Sequence, residues 1–292
     1  MDLTHDQICQ DMIHSSIQDI KDFRRKTKFI CILLALLCVF IFSKTDINIF
    51  GFSLHYNLGL GWIGLIIAFV LVIFIIIGYN VCLSFHELTV SNHILSLVNE
   101  KCDPLRANYV YTQLIKQKVL NEENICMDLI SVLQLQNHQE RIRDLLNQYP
   151  NAGTKNNHRI VAEFELLSEE EKIKRHEEFY QQNIAIIESM QLKNKKADSK
   201  SFELVKKSHL AQYLMYQKDY LKAIELLQEL ASLSPVYQVI SALKMGKCYM
   251  ALNDNERAIK NFEYVINHGN TMYAVIEAKE LMKKLEEKKD EC

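Results

Sequence analysis

Two stretches of the sequence decide the fold: 210–235, LAQYLMYQKDYLKAIELLQELASLSP, and 249–269, YMALNDNERAIKNFEYVINHG. Each contains an alanine, Ala223 or Ala258, that is followed by apolar side chains at helical spacing, and the two alanines are 35 residues apart. A period close to 34 residues is typical of one class of helix-hairpin repeat. The sequence therefore predicts two copies of one unit rather than two unrelated amphipathic helices.

Small residues occupy the places where the two helices of a unit would approach most closely. Ala211 and Gly246 each stand twelve residues before the alanine of their unit. A glycine inside a helix costs roughly 1 kcal/mol relative to alanine, so a close helix crossing best explains Gly246. Larger residues fill the space alongside. The predicted repeat-packing residues are Ala211, Tyr220, Ala223, Pro235, Gly246, Tyr249, Ala258 and Phe262.

Helix start and stop signals divide the second half of the chain. Asn253, with Glu256 three residues later, predicts the start of a helix, and Gly269 predicts its end. Residues 201–292 therefore read as two units followed by a capping helix with one narrow apolar face. Residues 84–200 show helical spacing with degenerate repetition. The pattern predicts an all-α chain in which helix hairpins form a curved stack.

Composition agrees with a helical protein. The 292 residues include only 8 glycines and 3 prolines, so helix breakers are scarce. The formal net charge of −2 provides no global field that would attract nucleic acid. The 8 cysteines form no CxxC pair, which indicates reduced thiols rather than a zinc cluster or a disulfide framework.

Two apolar runs precede the helix hairpins. The first, residues 29–43, would be about 22 Å long as a helix, which is shorter than a hydrocarbon core of about 30 Å. Its flanking lysines, Lys28 and Lys44, can extend it by snorkelling. The second, residues 58–85, contains no Asp, Glu, Lys, Arg or His and predicts a spanning helix. We therefore predict a transmembrane hairpin over 29–83, with helices at about 29–43 and 60–83 and a loop at 44–58.

The flanks of the apolar runs predict a topology. Basic residues cluster before the first run and are scarce between the runs, so the positive-inside rule predicts a multi-pass protein of the cell membrane with both termini cytoplasmic. A cleaved secretory signal or a shallow interfacial helix is the alternative for the first run. Residues 1–28 carry one apolar helical face. We expect this segment to lie on anionic lipid, to pack on the cytosolic domain as a short helix, or simply to continue the first span.

The arrangement resembles a group of uncharacterised tetratricopeptide-repeat (TPR) membrane proteins of low-GC Gram-positive bacteria. The resemblance rests on a turn at Cys102, Asp103 and Pro104 soon after the apolar runs, and on the final segment 262–281, FEYVINHGNTMYAVIEAKEL. It implies an N-terminal membrane hairpin followed by a TPR-like α-solenoid. It implies no reaction.

No motif predicts an enzyme or a cofactor site. The sequence lacks the glycine-rich phosphate-binding patterns and the GxSxG nucleophile motif. His86 and His93 flank Glu87 but are seven residues apart, whereas zinc-binding helices place their histidines four apart. A lysine-rich stretch at 193–200 has no interleaved aromatic residues, so it reads as a solvated loop rather than a nucleic-acid site. We expect no metal, cofactor, nucleic acid or small-molecule substrate.

The repeat pattern points to protein binding. TPR solenoids bind a peptide or helix of a partner protein along a concave surface lined by the first helix of each unit. The alternative to a membrane-anchored adaptor at the cytoplasmic face is a single-span protein with outward-facing repeats that serves as an envelope or secretion assembly factor. A carboxylate clamp for chaperone tails is not favoured, because its expected places hold a single lysine. The predicted concave-face residues are Ser208, Gln212, Tyr216, Leu243, Lys247 and Met250.

Overall fold

The computed structural model describes residues 3, 6–42, 46–49, 52–55, 61–153, 158–193 and 199–290. Within these ranges, the side chains of residues 39–65, 199–201 and 288–290 are not described. The chain termini, parts of the predicted loop at 44–58 and most of the lysine-rich stretch at 193–200 lie outside the described residues. The described chain is helical apart from one short β hairpin, so the prediction of an all-α protein is confirmed.

The described residues form twelve helices and two strands. In chain order the helices are α1 (Gln7–Phe42), α2 (Gly61–Asn99), α3 (Pro104–Lys116), α4 (Cys126–Leu135), α5 (Gln139–Gln148), α6 (His158–Glu165), α7 (Glu169–Lys193), α8 (Ser199–Tyr216), α9 (Tyr220–Ala231), α10 (Pro235–Ala251), α11 (Asn255–His268) and α12 (Tyr273–Asp290). Strands β1 (Asp46–Ile49) and β2 (Phe52–His55) lie between α1 and α2 and pair antiparallel, with Asp46 opposite His55.

Helices α1 and α2 pack against each other and expose a large apolar surface. We call this surface the apolar stalk; it comprises residues 29–37 of α1 and residues 66–85 of α2. Its phenylalanines illustrate the exposure, since Phe29 is 63% exposed, Phe69 is 68% exposed and Phe74 is 65% exposed. Soluble monomers rarely expose a contiguous apolar patch of this kind, so the stalk requires cover from lipid or from another protein.

The prediction of two membrane spans is wrong, and with it the prediction of a multi-pass protein with both termini cytoplasmic. Among the described residues only one helical segment, Ile66–Asn99 of α2, is long and apolar enough to cross a membrane. The first apolar run is too short. It is the end of α1, and eighteen residues counted back from Phe42 already include three basic side chains, Arg25, Lys26 and Lys28.

The first half of α1 packs on the helices that follow the stalk. Its apolar face, including Cys9, Ile13 and Ile20, is buried in the same core as α3. Asp6 accepts two hydrogen bonds from the Arg106 guanidinium of α3, at 2.9 and 3.0 Å. We call helices α3 to α12 the helical domain. For this segment the structure therefore favours packing on the helical domain over lying on lipid.

One turn geometry recurs along the helical domain. Four helices end at a non-glycine residue in the left-handed region, after which the next residue donates its N–H to a carbonyl five positions back. This is the Schellman arrangement, which usually places glycine at the left-handed position. Two of these turns are 35 residues apart, in the two units predicted from the sequence. The four left-handed residues are Lys118, Asn137, Lys218 and Asn253.

The second repeat unit is packed around one glycine and one phenylalanine. A Cβ added to Gly246 of α10 would lie 2.4 Å from Cε1 of Phe262 in α11, and Phe262 is fully buried. Ala258 is also fully buried, one turn before Phe262. The helix start differs by one residue from the prediction. Asp254, rather than Asn253, caps α11 by accepting the Arg257 N–H at 3.1 Å.

The remaining predicted repeat-packing residues differ in their exposure. Ala211 and Ala223 are fully buried between α8 and α9. Tyr249 is buried and Tyr220 is half-buried against the core. Pro235 is exposed. It is the first residue of α10, where its missing N–H costs the helix no hydrogen bond. The C-terminal helices thus form repeat-like hairpins with small residues at their crossings.

The two ends of the helical domain meet. Asp103, which caps α3, accepts a hydrogen bond of 2.7 Å from the Thr271 hydroxyl in the turn before α12. Asn270 donates to the Lys101 carbonyl at 3.1 Å, and α10 packs on α2. In an open solenoid each repeat contacts only its neighbours. In the described chain, by contrast, the turn before α3 is hydrogen-bonded to the turn before α12.

Candidate functional site

The candidate site is the face that the first helices of the two units, α8 and α10, turn toward α6 and α12. We call it the inner face. Gln212 of α8 reaches α6 by donating to Glu165 Oε1 at 3.2 Å, and Lys247 of α10 pairs with Glu277 of α12 at 2.5 Å. Neighbouring helices of the same chain therefore engage part of the predicted concave face.

Glu165 organises the polar side of the inner face. It accepts the Gln212 amide, lies 3.5 Å from the Lys172 ammonium of α7, and faces Lys244 of α10. Burial lowers the pKa of Lys172, but Glu165 and Glu169 more than offset this effect and hold its pKa above the usual value. The helices α6, α7, α8 and α10 thus converge on one carboxylate.

The predicted residue Tyr216 packs among aromatic side chains. Its ring meets Phe164 edge-on, with ring centroids 6.1 Å apart, and it lies 5.5 Å from the His176 ring. Burial, with a contribution from Glu165, raises the pKa of Tyr216 to about 12. Nearby, Tyr180 and Tyr213 stack at 4.5 Å, and the Tyr213 hydroxyl donates to Glu177 at 2.5 Å.

The prediction is out of register on α10 by one position. Leu243 is 8% exposed and belongs to the core, so it does not line the inner face. The next residue, Lys244, is half-buried and faces Glu165. Ser208 and Met250 are half-buried and remain partly accessible. Of the predicted residues, Gln212 and Lys247 make contacts on the inner face, while Ser208 and Met250 are half-buried on the same two helices.

Lys244 is the least compensated charge on the inner face. Its ammonium forms no hydrogen bond or ion pair with any residue that the structure describes. Burial lowers its pKa and the neighbouring Lys247 lowers it further, while Glu165 acts in the opposite direction. A lysine in this state gains from an anionic partner.

His209 occupies the equivalent place on α8, 35 residues before Lys244. Burial, followed by the nearby Lys244 and His158, lowers the pKa of His209 to about 4, so the ring is neutral at neutral pH. Its ring also meets Phe179 edge-on at 5.9 Å. Sequence reasoning missed both His209 and Lys244. The repeat period could have indicated them, because His209 and Lys244 occupy equivalent positions in the two units, each one residue after a predicted concave-face residue (Ser208 and Leu243).

A second polar cluster joins the apolar stalk to the helical domain. Glu87 of α2 is buried and pairs with Arg24 of α1 at 3.2 Å, and it accepts the Asn124 amide at 2.8 Å. Arg24 also donates to the carbonyls of Lys118 and Val119 in the α3–α4 turn, at 3.2 and 2.9 Å. These bonds link α1, α2 and the α3–α4 turn at the base of the stalk.

The residues around Glu87 serve packing. The His86 ring stacks on Phe23 at 4.1 Å, and His93, six residues after Glu87, is exposed. Within the described residues no three His, Cys, Asp or Glu side chains are grouped in a way that would hold a metal ion. The seven described cysteines are all free thiols, and four of them are buried.

Comparison of the chain with protein-family models, with curated proteins and with solved structures finds no match.

Proposed function

We propose that the chain is a membrane-associated adaptor of TPR type that binds a partner protein on its inner face. The apolar stalk anchors the chain in a bilayer, and the helical domain holds the partner beside it. Basic residues flank the stalk on the side of the helical domain, which favours the cytoplasmic face by the positive-inside rule.

The observation that carries the proposal is the state of Lys244. Half-buried lysines are normally paired, because an ammonium loses hydration energy when it is buried. Lys244 has no direct partner among the described residues, although Lys172 and Lys247 beside it are both paired. An acidic side chain from a bound protein would give this ammonium an ion pair that no described residue provides. The accessible residues Ser208 and Met250 lie on the same two helices and would contact the same partner.

The aromatic cluster beside the inner face also supports protein binding. Tyrosine side chains offer a large rigid surface with a polar tip, and they are enriched where proteins bind one another. Tyr180 and Tyr213 are half-buried, and their stacked rings adjoin His176. A partner that reaches Lys244 from the α7 side would pass these rings.

The bonds at the base of the stalk do not favour the alternative of outward-facing repeats behind a single complete crossing by α2. That topology would place the first half of α1 and helices α3 to α12 on opposite sides of the bilayer. Asp6 and Arg106 pair at 2.9 Å, and Arg24 and Glu87 pair at 3.2 Å. Both pairs hold the first half of α1 on the same end of α2 as the helical domain. We propose instead that the stalk enters the bilayer from the face on which the helical domain lies, without a complete crossing by either helix.

Site-specific photo-crosslinking in membranes tests the proposal. A photoreactive amino acid replaces Met250 on the inner face or, as a matched control, Lys260 on α11, whose side chain is 66% exposed. We expect a discrete protein adduct from position 250 and none from position 260. The adduct should disappear when Lys244→Glu is added, because two acidic groups would then face each other.

Two outcomes would contradict the adaptor proposal. One is the absence of any adduct at position 250 under conditions where the chain is folded and membrane-bound. The other is an adduct of equal yield at both positions, which would indicate collision rather than binding on the inner face.

A further inference from the structure

The α3–α4 turn lies at the level where the apolar stalk ends. Asn124 of this turn donates to the hydroxyl of Ser84 at 3.3 Å, and Ser84 is one residue before the last apolar residue of the stalk, Phe85. The Glu87 carboxylate holds the turn in place through Asn124 and through the Asn121 N–H. A segment more than thirty residues further along the chain is thus fixed beside the stalk.

Basic side chains surround this level from two directions. On α1, Lys26 and Lys28 are exposed immediately before the stalk begins. On the other side, Lys116 and Lys118 are exposed at the end of α3 and in the turn itself. None of the four lysine side chains forms an ion pair with a described residue. We call these four residues the basic collar.

Acidic side chains near the collar are mostly engaged elsewhere. Glu87 is buried against Arg24, and Asp22 pairs with Arg25 at 3.0 Å. Glu122 pairs with Arg141 at 2.5 Å and also accepts the Tyr149 hydroxyl. Glu123 in the turn and Asp19, one turn before Asp22 on α1, are exposed and form no ion pair in the described part of the chain. Basic side chains without an ion pair therefore outnumber acidic ones where the stalk ends.

We infer that the basic collar binds the headgroups of anionic phospholipids, so that the α3–α4 turn itself rests on the membrane surface. Clusters of lysine and arginine directly beside an apolar membrane segment attract anionic lipid. Here the cluster is continuous with the stalk and is completed by a turn from the helical domain. The contact would therefore fix the orientation of the domain on the bilayer, with the inner face turned in a defined direction.

The inference rests on the membrane association in the proposed function, and a lipid-retention experiment separates the two. The full chain, immobilised through a terminal tag, is equilibrated with mixed micelles that contain equal amounts of labelled phosphatidylglycerol and phosphatidylcholine. We expect both lipids to be retained, with phosphatidylglycerol several-fold in excess. High salt should reduce the excess because exposed charges are screened.

The decisive variant is Lys116→Gln/Lys118→Asn. Asparagine tolerates the left-handed backbone at position 118, where φ is 57°, so the turn keeps its conformation. Removing these two charges should reduce the several-fold excess of phosphatidylglycerol by at least about twofold, toward equal retention of the two lipids. The matched control Lys283→Gln/Lys284→Gln removes two exposed charges from α12 and should leave the preference unchanged.

The outcomes distinguish the two ideas. Retention of neither lipid by the wild-type chain would contradict membrane association itself. Equal retention of both lipids would overturn the basic collar alone. A preference that Lys26→Gln/Lys28→Gln reduces but Lys116→Gln/Lys118→Asn does not would also overturn it, since only the flank of α1 would then touch the headgroups. An unchanged thermal unfolding curve for each variant excludes misfolding as the cause.

Discussion

The apolar stalk and the repeat unit α10–α11 use the same kinds of side chain in opposite ways. Phe262 in the repeat is fully buried, whereas Phe74 in the stalk is 65% exposed. A Cβ on Gly246 would collide with the Phe262 ring, whereas a Cβ on Gly78 of the stalk would meet nothing within 4 Å. The repeat covers its own apolar surface, and the stalk does not.

This difference identifies where the chain needs an external partner. Packing in the repeat leaves little room for change, because a buried aromatic ring and a glycine occupy one helix crossing. Packing between α1 and α2 covers only one side of the stalk and leaves most of its apolar side chains exposed. Its surface is stabilised when lipid or another protein replaces the water around it.

The largest contrast should appear between two phenylalanine substitutions. Phe262→Ala should lower the free energy of unfolding by about 3–5 kcal/mol, because it leaves a cavity in a closed site. Phe74→Ala, at an exposed position, should change it by less than about 0.5 kcal/mol. Chemical denaturation of both variants in the same detergent measures the difference. Equal losses would mean that the stalk is packed as tightly as the repeat.

Acid should weaken the helical domain through His209. Because its folded pKa of about 4 is below the usual value of 6.5, its contribution is complete above pH 6.5 and is lost as the pH falls toward 4. The loss would reach up to about 3 kcal/mol for this one group. His209→Gln should flatten the stability profile over this range in denaturant unfolding at several pH values. A profile that keeps its slope would assign the acid sensitivity to other groups.

Two glycine-to-alanine substitutions compare the repeat and the stalk by adding one methyl group to each. Gly246→Ala should destabilise the chain by about 1–3 kcal/mol, because the added methyl group meets the buried Phe262 ring. Combining it with Phe262→Leu should cost less than the sum of the two single changes, since the smaller side chain makes room. Gly78→Ala should not destabilise. Thermal unfolding of all four variants checks the order, and strict additivity would argue against the contact.

The smallest effect concerns the link between the two regions. Arg24→Met removes one partner of the buried Glu87 carboxylate, which keeps its hydrogen bonds from Asn124 and Asn121. We expect a loss of about 1–2 kcal/mol and faster amide hydrogen exchange in residues 7–22, because α1 is held less firmly. Unchanged exchange in that segment would show that apolar packing alone holds α1 on the domain.

Much of the helical architecture was predictable because it depends on local signals. The spacing around Ala223 and Ala258 indicated the repeat-like hairpins, and the small residue at position 246 indicated a close crossing. The turns that end the first helices were not predictable in the same way. The Schellman motif usually carries glycine, and here Lys218 and Asn253 adopt the left-handed conformation instead. Hydrogen bonds across the turn stabilise a conformation that lysine rarely takes and that asparagine tolerates.

The candidate site was harder to predict than the fold. A helix turns by about 100° per residue, so an error of one position exchanged the buried Leu243 for the accessible Lys244. Contacts made by residues far apart in sequence were invisible as well. The hydrogen bond from Gln212 to Glu165, for example, joins residues 47 positions apart, and no local pattern indicates it. The short first apolar run misled the topology because flanking lysines were credited with extending it.

The central claim is that lipid covers the apolar stalk while water surrounds the helical domain. It is tested most directly by thiol labelling of Phe74→Cys and Lys260→Cys in vesicles, at two positions that are both exposed in the structure. Only a hydrated thiol ionises and reacts readily with a charged, water-soluble maleimide. We expect position 260 to react rapidly and position 74 to resist until the vesicles are dissolved and the chain is unfolded. Equal rates at both positions in intact vesicles would contradict the account.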